Sequence, residues 1–578
     1  MIEFHVALSG DDAWPGTVER PFATIARARD AARAVHGAVV VLLRAGTYVL
    51  TEPLELTAVD SGTTFQAYGY GTDDQEEVVV SGGREITGWR VEDGVWLGEV
   101  GELNTRQLHV NGRRAERAGV DGLPGVVTTT PTGYVVDALA WHSPADVEFV
   151  YRGVYPWTEA RCPVATVTGS GPVTITMVQP AFGWANDLYN SSYEGQTSRG
   201  PGLPTRLEND ASFLTEPGTF VLDRSRPGRH LLRYLPREGE HPRHTTAIVP
   251  VLDTLLRASG TAEVSFRGLT FADATWLRPG SERGFLHYHG NGFYEGGQVD
   301  QIPFGEGSWV MVPAESSAIP ACVQFNDCTH VEVEGCRFTR LGAVGLGFAG
   351  GSELTVRGCG FDTLSTSAVT VTDASRALIE DNRVLRVGLE YAGSPGIAVT
   401  GTRGCTVAHN EVTDVPHCGI VAGPGEGTRI LHNRIVRTMG VLADGGGIYL
   451  AGPQGTSADD GAVIRGNVVV DTRTPYNFGL YTDYGAAWVT VEDNVVLRAD
   501  NTAVLTVSPP LEHVVYRNNF WDADPLGAAD PPAGVTYEGN TTLADEAELD
   551  AATSSLQAKA GPRRTTPVHD PAPSDGWS

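Results

Sequence analysis

At 578 residues the chain exceeds one ordinary domain, although a solenoid escapes that limit because its core grows in one dimension. The 70 glycines and 35 prolines suit a turn-rich all-β chain, and a net charge of −28 makes nucleic acid and anionic membranes poor partners. No run of 18 apolar residues marks a spanning helix, and seven cysteines without paired spacing argue against a disulfide framework or a CxxC zinc site.

Residues 3–8 read as a strand followed by turns at Ser9-Gly10-Asp11-Asp12 and Gly16-Thr17. Over 24–34, apolar residues at Ile25, Ala28, Ala31 and Ala32, continued by Val35, make one helix face. Two strands around Gly46 follow. A helix placed before the first coil is expected to cover the open end of a solenoid, giving an N-terminal cap and first coils over 1–103. The start MIEFHVALSGDD has no basic segment leading into an apolar one, so no signal peptide is read. A cytoplasmic location is the simplest inference, with secretion after signal removal as the alternative.

Residues 104–250 alternate strand and turn without the coil rhythm, and predict an inserted all-β, sandwich-like domain. The main coils are expected over 251–545. They are interrupted from Ala272 to about Pro320 by a segment dense in Trp276, His287, Tyr288, His289, Tyr294, Glu295 and Trp309. A loop of that length is expected to be functional, and a variable surface loop is the alternative. Residues 546–578 are expected to be a disordered tail, since GPRRTTPVHDPAPSDGWS holds too little apolar content to fold.

The coils themselves are read from a ladder. Short apolar strands flank Cys336, Cys359, Asn382, Asn410, Asn433, Asn467, Asn494, Asn518 and Asn540, at steps of 23, 23, 28, 23, 34, 27, 24 and 22 residues. One turn of a parallel β-helix takes about this length, and a stacked inward asparagine bonds its copies above and below. The fold class is therefore all-β, a parallel β-helix solenoid, with function in the side groove and in coils longer than the rest.

The 34- and 27-residue coils carry Leu442-Ala443-Asp444-Gly445-Gly446-Gly447-Ile448-Tyr449 and Gly479-Leu480-Tyr481-Thr482-Asp483-Tyr484-Gly485. Each places an aspartate among glycines and tyrosines, and glycine lets a backbone and a bulky ligand approach closely. On successive coils Asp444 and Asp483 are expected to stack in one groove, about 4.8 Å from strand to strand. Two such carboxylates suit glycoside hydrolysis. One protonates the departing oxygen, and the other attacks the anomeric carbon or activates water. Stacked coils would place the carboxyls near the roughly 5–5.5 Å of retaining enzymes, and a sideways offset would widen that. An Asp beside Gly is also a common turn residue, and a calcium site is the other alternative for the pair. No metal or other cofactor is otherwise expected. His417, His409, Glu390, Tyr391, Tyr449, Tyr481, Tyr484 and Trp488 are the candidate substrate contacts, with core packing the alternative for the aromatics and a structural role the alternative for the histidines.

The motifs SGDD, PFATI, VNGRRAERA, YLPREGE, VPVLDTLLRASG, GLTFADATW, VAHNEV, ADGGGIY and YTDYG occur in that order. The opening resembles many bacterial right-handed parallel β-helix proteins, and the ordered set resembles glycoside hydrolase family 141 up to about residue 545. That resemblance implies a right-handed helix with an inserted β-sandwich. It also implies α-L-fucosidase or xylanase activity, with the family's two proposed catalytic aspartates falling on Asp444 and Asp483. The chain differs from the family in PHCG at 416–419 and in its apparent lack of a signal peptide, which points to a small imported glycoside or oligosaccharide. The implied partner is a carbohydrate, bound by a monomer or small homo-oligomer. Two rivals stand beside this reading. A polysaccharide lyase would need a Lys or Arg base, and the single lysine, Lys559, lies near the C-terminus. A carbohydrate-binding β-helix would need no paired acids.

Overall fold

A computed structural model describes residues 2–563. The chain divides into two compact units. One comprises residues up to Gly82, Thr254–Ala272 and Pro320 onward, and the other comprises Gly83–Asp253 and Asp273–Ile319.

The first unit is a parallel coil stack. Val39–Leu43 pairs in register with Ile2–Val6 on one side and Thr63–Ala67 on the other. From Ala321 each coil lays down three short strands, as in Ala321–Asn326, Thr329–Glu334 and Arg337–Leu341. Each strand pairs with its counterpart one coil on, so like side chains stack in rows. Val323, Leu346, Val369, Ile397, Ile420, Ile448 and Leu480 form one inward row, all fully buried. The period of two in a strand sends their neighbours outward, and this decides which residues can reach a ligand. Aromatic rows stack in the same way, with Phe338 and Phe361 4.7 Å apart at 6°.

The asparagine ladder turns one corner of every coil from Asn382 on. Each side-chain oxygen accepts from both the backbone N–H and the Nδ2 of the asparagine before it, at 2.9–3.1 Å, through Asn382, Asn410, Asn433, Asn467, Asn494, Asn519 and Asn540. The ladder residue is thus Asn519, where the spacing predicts Asn518. The residue ahead of each ladder position takes a left-handed conformation, as at Asp381, His409, His432, Asp493 and Asn518. In the RNN sequence the first Asn fills that role and the second points inward.

The helix expected over 24–34 runs from Ile25 to Arg33, with the Thr24 side chain accepting the N–H of Arg27 at 3.1 Å. Its buried Ile25, Ala28, Ala31 and Ala32 face the strands Ile2–Val6 and Val39–Leu43. The tail expectation fails over its first part. Glu546–Gln557 is a helix whose N-cap, Asp545, accepts from the N–H of Glu548 at 3.0 Å, and Leu549 packs with Val468, Val470, Val495 and Leu497. Arg563 then grips Asp381 at 2.8 Å and Glu380 at 2.7 Å. A good cap and an Ala/Glu-rich run outweigh the Pro-rich composition that follows. The remaining tail, 564–578, lies outside the described residues. All seven cysteines are buried free thiols.

The second unit is built mainly of antiparallel strands around two apolar clusters, one containing Trp96, Phe220 and Tyr234, the other Tyr134, Phe149, Tyr151 and Phe182. The long loop expected over 272–320 is instead part of this unit's sheets from Asp273 on. Phe285–His289 pairs with Glu159–Thr168, and Ser308–Pro313 pairs with Asn190–Tyr193. Trp276, His287 and Tyr294 are buried, so the aromatic density marks a core. A short helix, Ala181–Leu188, adds to it. Arg106 clamps Glu148 at 2.7 and 2.8 Å, and Arg161 bridges Glu148 and Glu208 at 3.0 and 2.8 Å. Burial pushes the Glu148 carboxyl up, but Arg106, Arg117 and Arg161 outweigh it and hold it at about 2.

Candidate active site

Two neighbouring long coils meet where Gly446–Pro453 pairs with the first half of the long strand Phe478–Glu492. The outward row here is Ala398, Val421, Tyr449 and Tyr481. The glycine run ahead of it admits no side chains. A Cβ at Gly447 would lie 2.4 Å from Val469, and one at Gly445 2.7 Å from His417 Nε2. Asp444 stands at the turn before the run in a left-handed conformation, φ 52°, which Asp tolerates better than most residues.

Register corrects the stacked arrangement expected for the pair. Asp483 lies beside Ala451, whereas Asp444 donates its N–H to the carbonyl of Tyr476 at 2.8 Å. The two aspartates are therefore offset along the coil, and the stacking behind the retaining expectation is absent. Two tyrosines join them instead. The Tyr449 hydroxyl donates to Asp483 Oδ2 at 2.9 Å, and the Tyr481 hydroxyl donates to Asp444 Oδ1 at 3.1 Å. The rings pack edge to face, 5.2 Å apart at 86°. Each tyrosine thus serves the other coil's aspartate or its neighbour, and both are buried with Phe478, Met439, Cys418 and Val504 in a local apolar cluster.

That apolar floor sets the electrostatics. Burial first, and then the charge of Asp483, push the Asp444 carboxyl up to about 7, against the opposing hydrogen bond from Tyr481. Burial also raises Asp483, but the Tyr484 N–H and the Tyr449 and Tyr481 hydroxyls favour its ionised form. Burial thus raises both carboxyls, and Asp444 feels the charge of Asp483 in addition, while hydrogen-bond donors oppose the rise at Asp483. Burial pushes the Cys418 thiol up to about 12, so it is not a nucleophile. Its sulfur accepts the N–H of Gly446 at 3.4 Å, bracing the strand between the acids.

The other candidates divide. Tyr449 and Tyr481 are at the pair. Tyr484, directly after Asp483, is 46% exposed. Trp488 has a face occupied by His513, stacked at 3.9 Å and 10°. His417 is 2% exposed and bonds the Ala443 carbonyl through Nε2 at 3.2 Å, so it holds the Asp444 turn and does not face the groove. Its Nε2 must carry the proton, because a carbonyl only accepts. Glu390 and Tyr391 are buried, bonded to each other at 3.1 Å, and Glu390 accepts from Ser365 at 3.3 Å. They too belong to the interior. His409 sits at the asparagine corner, a different corner of the coil, stacked on His432 at 5.1 Å. Sequence reasoning missed Tyr476, whose partnership with Asp444 depends on register across a 34-residue coil. Among the described residues no group of three or more His, Cys, Asp or Glu is arranged to hold a metal ion.

Comparison with known proteins bears on the coils. The family described as "Right handed beta helix region" matches residues 316–456 and 389–520. No curated protein sequence matches the chain. Among solved structures, one described as a glycoside hydrolase is 22% identical, with a TM-score of 0.73, covering 97% of this chain and 99% of its own. The structure of XylC in complex with xylose is 13% identical, with a TM-score of 0.51, covering 90% of this chain and 75% of its own. These matches and the parallel registers agree: the coils form a right-handed parallel β-helix.

Proposed function

We propose that the protein is a glycoside hydrolase with Asp444 as general acid and Asp483 as base or nucleophile. The carrying observation is the pair of carboxyls on one apolar floor, each bonded by a tyrosine hydroxyl, Asp444 raised to about 7 and Asp483 raised by burial against the opposing hydrogen bonds from Tyr449 and the Tyr484 N–H. Asp444 gives its proton to the departing glycosidic oxygen as the bond to the anomeric carbon breaks. Asp483 attacks that carbon or takes a proton from the attacking water. The glycoside hydrolase and the xylose-bound XylC among the structural relatives support a carbohydrate substrate. A plant-type α-L-fucoside or xyloside follows from the motif resemblance to family 141. Elimination by a lyase has less support, because the single lysine, Lys559, lies near the C-terminus and the site is built on a pair of carboxyls.

A panel of 4-nitrophenyl glycosides and plant oligosaccharides, including α-L-fucosides and β-xylosides, tests the reading. Wild-type protein is expected to release sugar from at least one, and the Asp444→Asn and Asp483→Asn variants are expected to bind it without turnover. Unsaturated uronate products absorbing in the ultraviolet would favour the lyase instead.

A further inference from the structure

Two tyrosines stand outside the buried cluster, one beside each acid. Tyr476 is 53% exposed and Tyr484 46%. Each is tied through its backbone to one carboxylate residue. The Tyr476 carbonyl accepts the N–H of Asp444, and the Tyr484 N–H bonds the Asp483 carboxylate. Each is also braced by the following coil. The Tyr476 N–H donates to Asp500 Oδ2 at 2.7 Å, and the N–H of Gly485 donates to the Pro509 carbonyl at 3.1 Å.

The backbone is shaped to display them. Ala451 is opposite Asp483 and Pro453 is opposite Ala487, so Gly452 alone faces Tyr484, Gly485 and Ala486. Such a bulge re-aims a side chain, and bulges recur beside active sites. Both tyrosines have left-handed backbones, φ 59° at Tyr476 and 39° at Tyr484. The ladder corners meet the same demand with Asp381, His409, Asp493 and Asn518, types that adopt this conformation more readily. Tyr476 lies in the bend before the strand Phe478–Glu492 and Tyr484 lies in the bulge within it, with the strand residues from Phe478 to Asp483 between them. Two exposed rings, one at each end of this strand segment, offer more stacking surface than one terminal sugar needs.

We propose that Tyr476 and Tyr484 are sugar-stacking platforms on either side of the scissile bond, so that the substrate is an oligosaccharide chain lying across the acid pair. This rests on the hydrolase reading and adds chain length to it. An aromatic ring presents an apolar face to the C–H face of a sugar while its hydroxyl stays in water. The Trp488 face covered by His513 makes that residue a wall beside the bulge.

The test is an array of plant cell-wall oligosaccharides of one to six units probed with the Asp444→Asn variant. Retention is expected to rise with chain length. Adding Tyr476→Ala or Tyr484→Ala is expected to weaken binding of the longest chains about two- to tenfold, with single sugars unaffected and Tyr→Phe at either position fully retained. Retention independent of length, equal loss with Phe, equal loss on single sugars, or no retention on any glycan would overturn the proposal. Its failure is separable from that of the hydrolase reading. If Asp444→Asn abolishes turnover of a 4-nitrophenyl glycoside while the length effect is absent, the hydrolase stands and the platforms fall. If Asp444→Asn leaves turnover intact, the assignment of Asp444 as general acid falls, and if the wild type turns over no glycoside, the hydrolase reading itself falls.

Discussion

Replacing Asp444 by Asn is expected to lower kcat about 10²–10⁴-fold and, at pH 8, to make the protein more stable. The loss follows from removing the proton that the departing oxygen needs. It should be smallest for a dinitrophenyl leaving group, which departs without protonation, and largest for a sugar leaving group. The gain follows from linkage. The folded carboxyl titrates at about 7, above its ordinary 3.8, so the native state holds a proton that the unfolded chain has lost. The stability contributed by that protonated group is present below about pH 4 and lost as pH rises through about 7. Above that, the buried charge costs at most about 4 kcal/mol. Asn carries no charge to bury. Thermal unfolding at pH 4 and pH 8 checks the sign: the variant should gain at pH 8 and change little at pH 4. Equal effects at both would show that Asp444 is ordinary in its titration.

The second large effect lies in the ladder. Asn433→Ala removes the oxygen that accepts from Asn410 N and Nδ2, both at 2.9 Å, and the Nδ2 that donates to Val407 O at 2.8 Å and Asn467 Oδ1 at 3.0 Å. All of these groups are buried, and each left without a partner costs about 1–3 kcal/mol. The expected destabilisation is about 3–6 kcal/mol, read from chemical denaturation. Asn540→Ala, at the half-exposed end of the ladder, should cost about 1–2 kcal/mol, because water can replace its partners. Equal losses at the two sites would contradict a ladder whose strength comes from burial.

The parts legible in the sequence were those governed by local repetition. The coil period, the inward asparagines and the aspartates in glycine-rich long coils all follow from residues within one coil. Asn518 was placed one position off because RNN offers two asparagines, and only backbone conformation separates the corner residue from the ladder residue. Contacts set by register between coils were not legible. The offset that puts Asp483 beside Ala451, and Asp444 against Tyr476, depends on how a 34-residue coil distributes its excess, and nothing in either motif states that. His417 and Glu390 read as groove residues because polar types suggest exposure, yet each has a buried partner. The segment 273–319 read as a loop because its strands pair with residues more than 100 positions earlier, such as Phe285–His289 with Glu159–Thr168.

The most direct measurement is the pH dependence of kcat/KM for wild type, Tyr449→Phe and Tyr481→Phe on one turned-over glycoside. Wild type should give a bell, with the alkaline limb set by Asp444 near 7 and the acid limb by Asp483. Tyr481 lowers both carboxyl values through its hydroxyl, so Tyr481→Phe should move both limbs to higher pH. Tyr449 lowers the Asp483 value, so Tyr449→Phe should move the acid limb to higher pH and leave the alkaline limb in place. An alkaline limb that moves with Tyr449→Phe, or limbs that stay fixed in both variants, would contradict Asp444 as the acid and Asp483 as its partner.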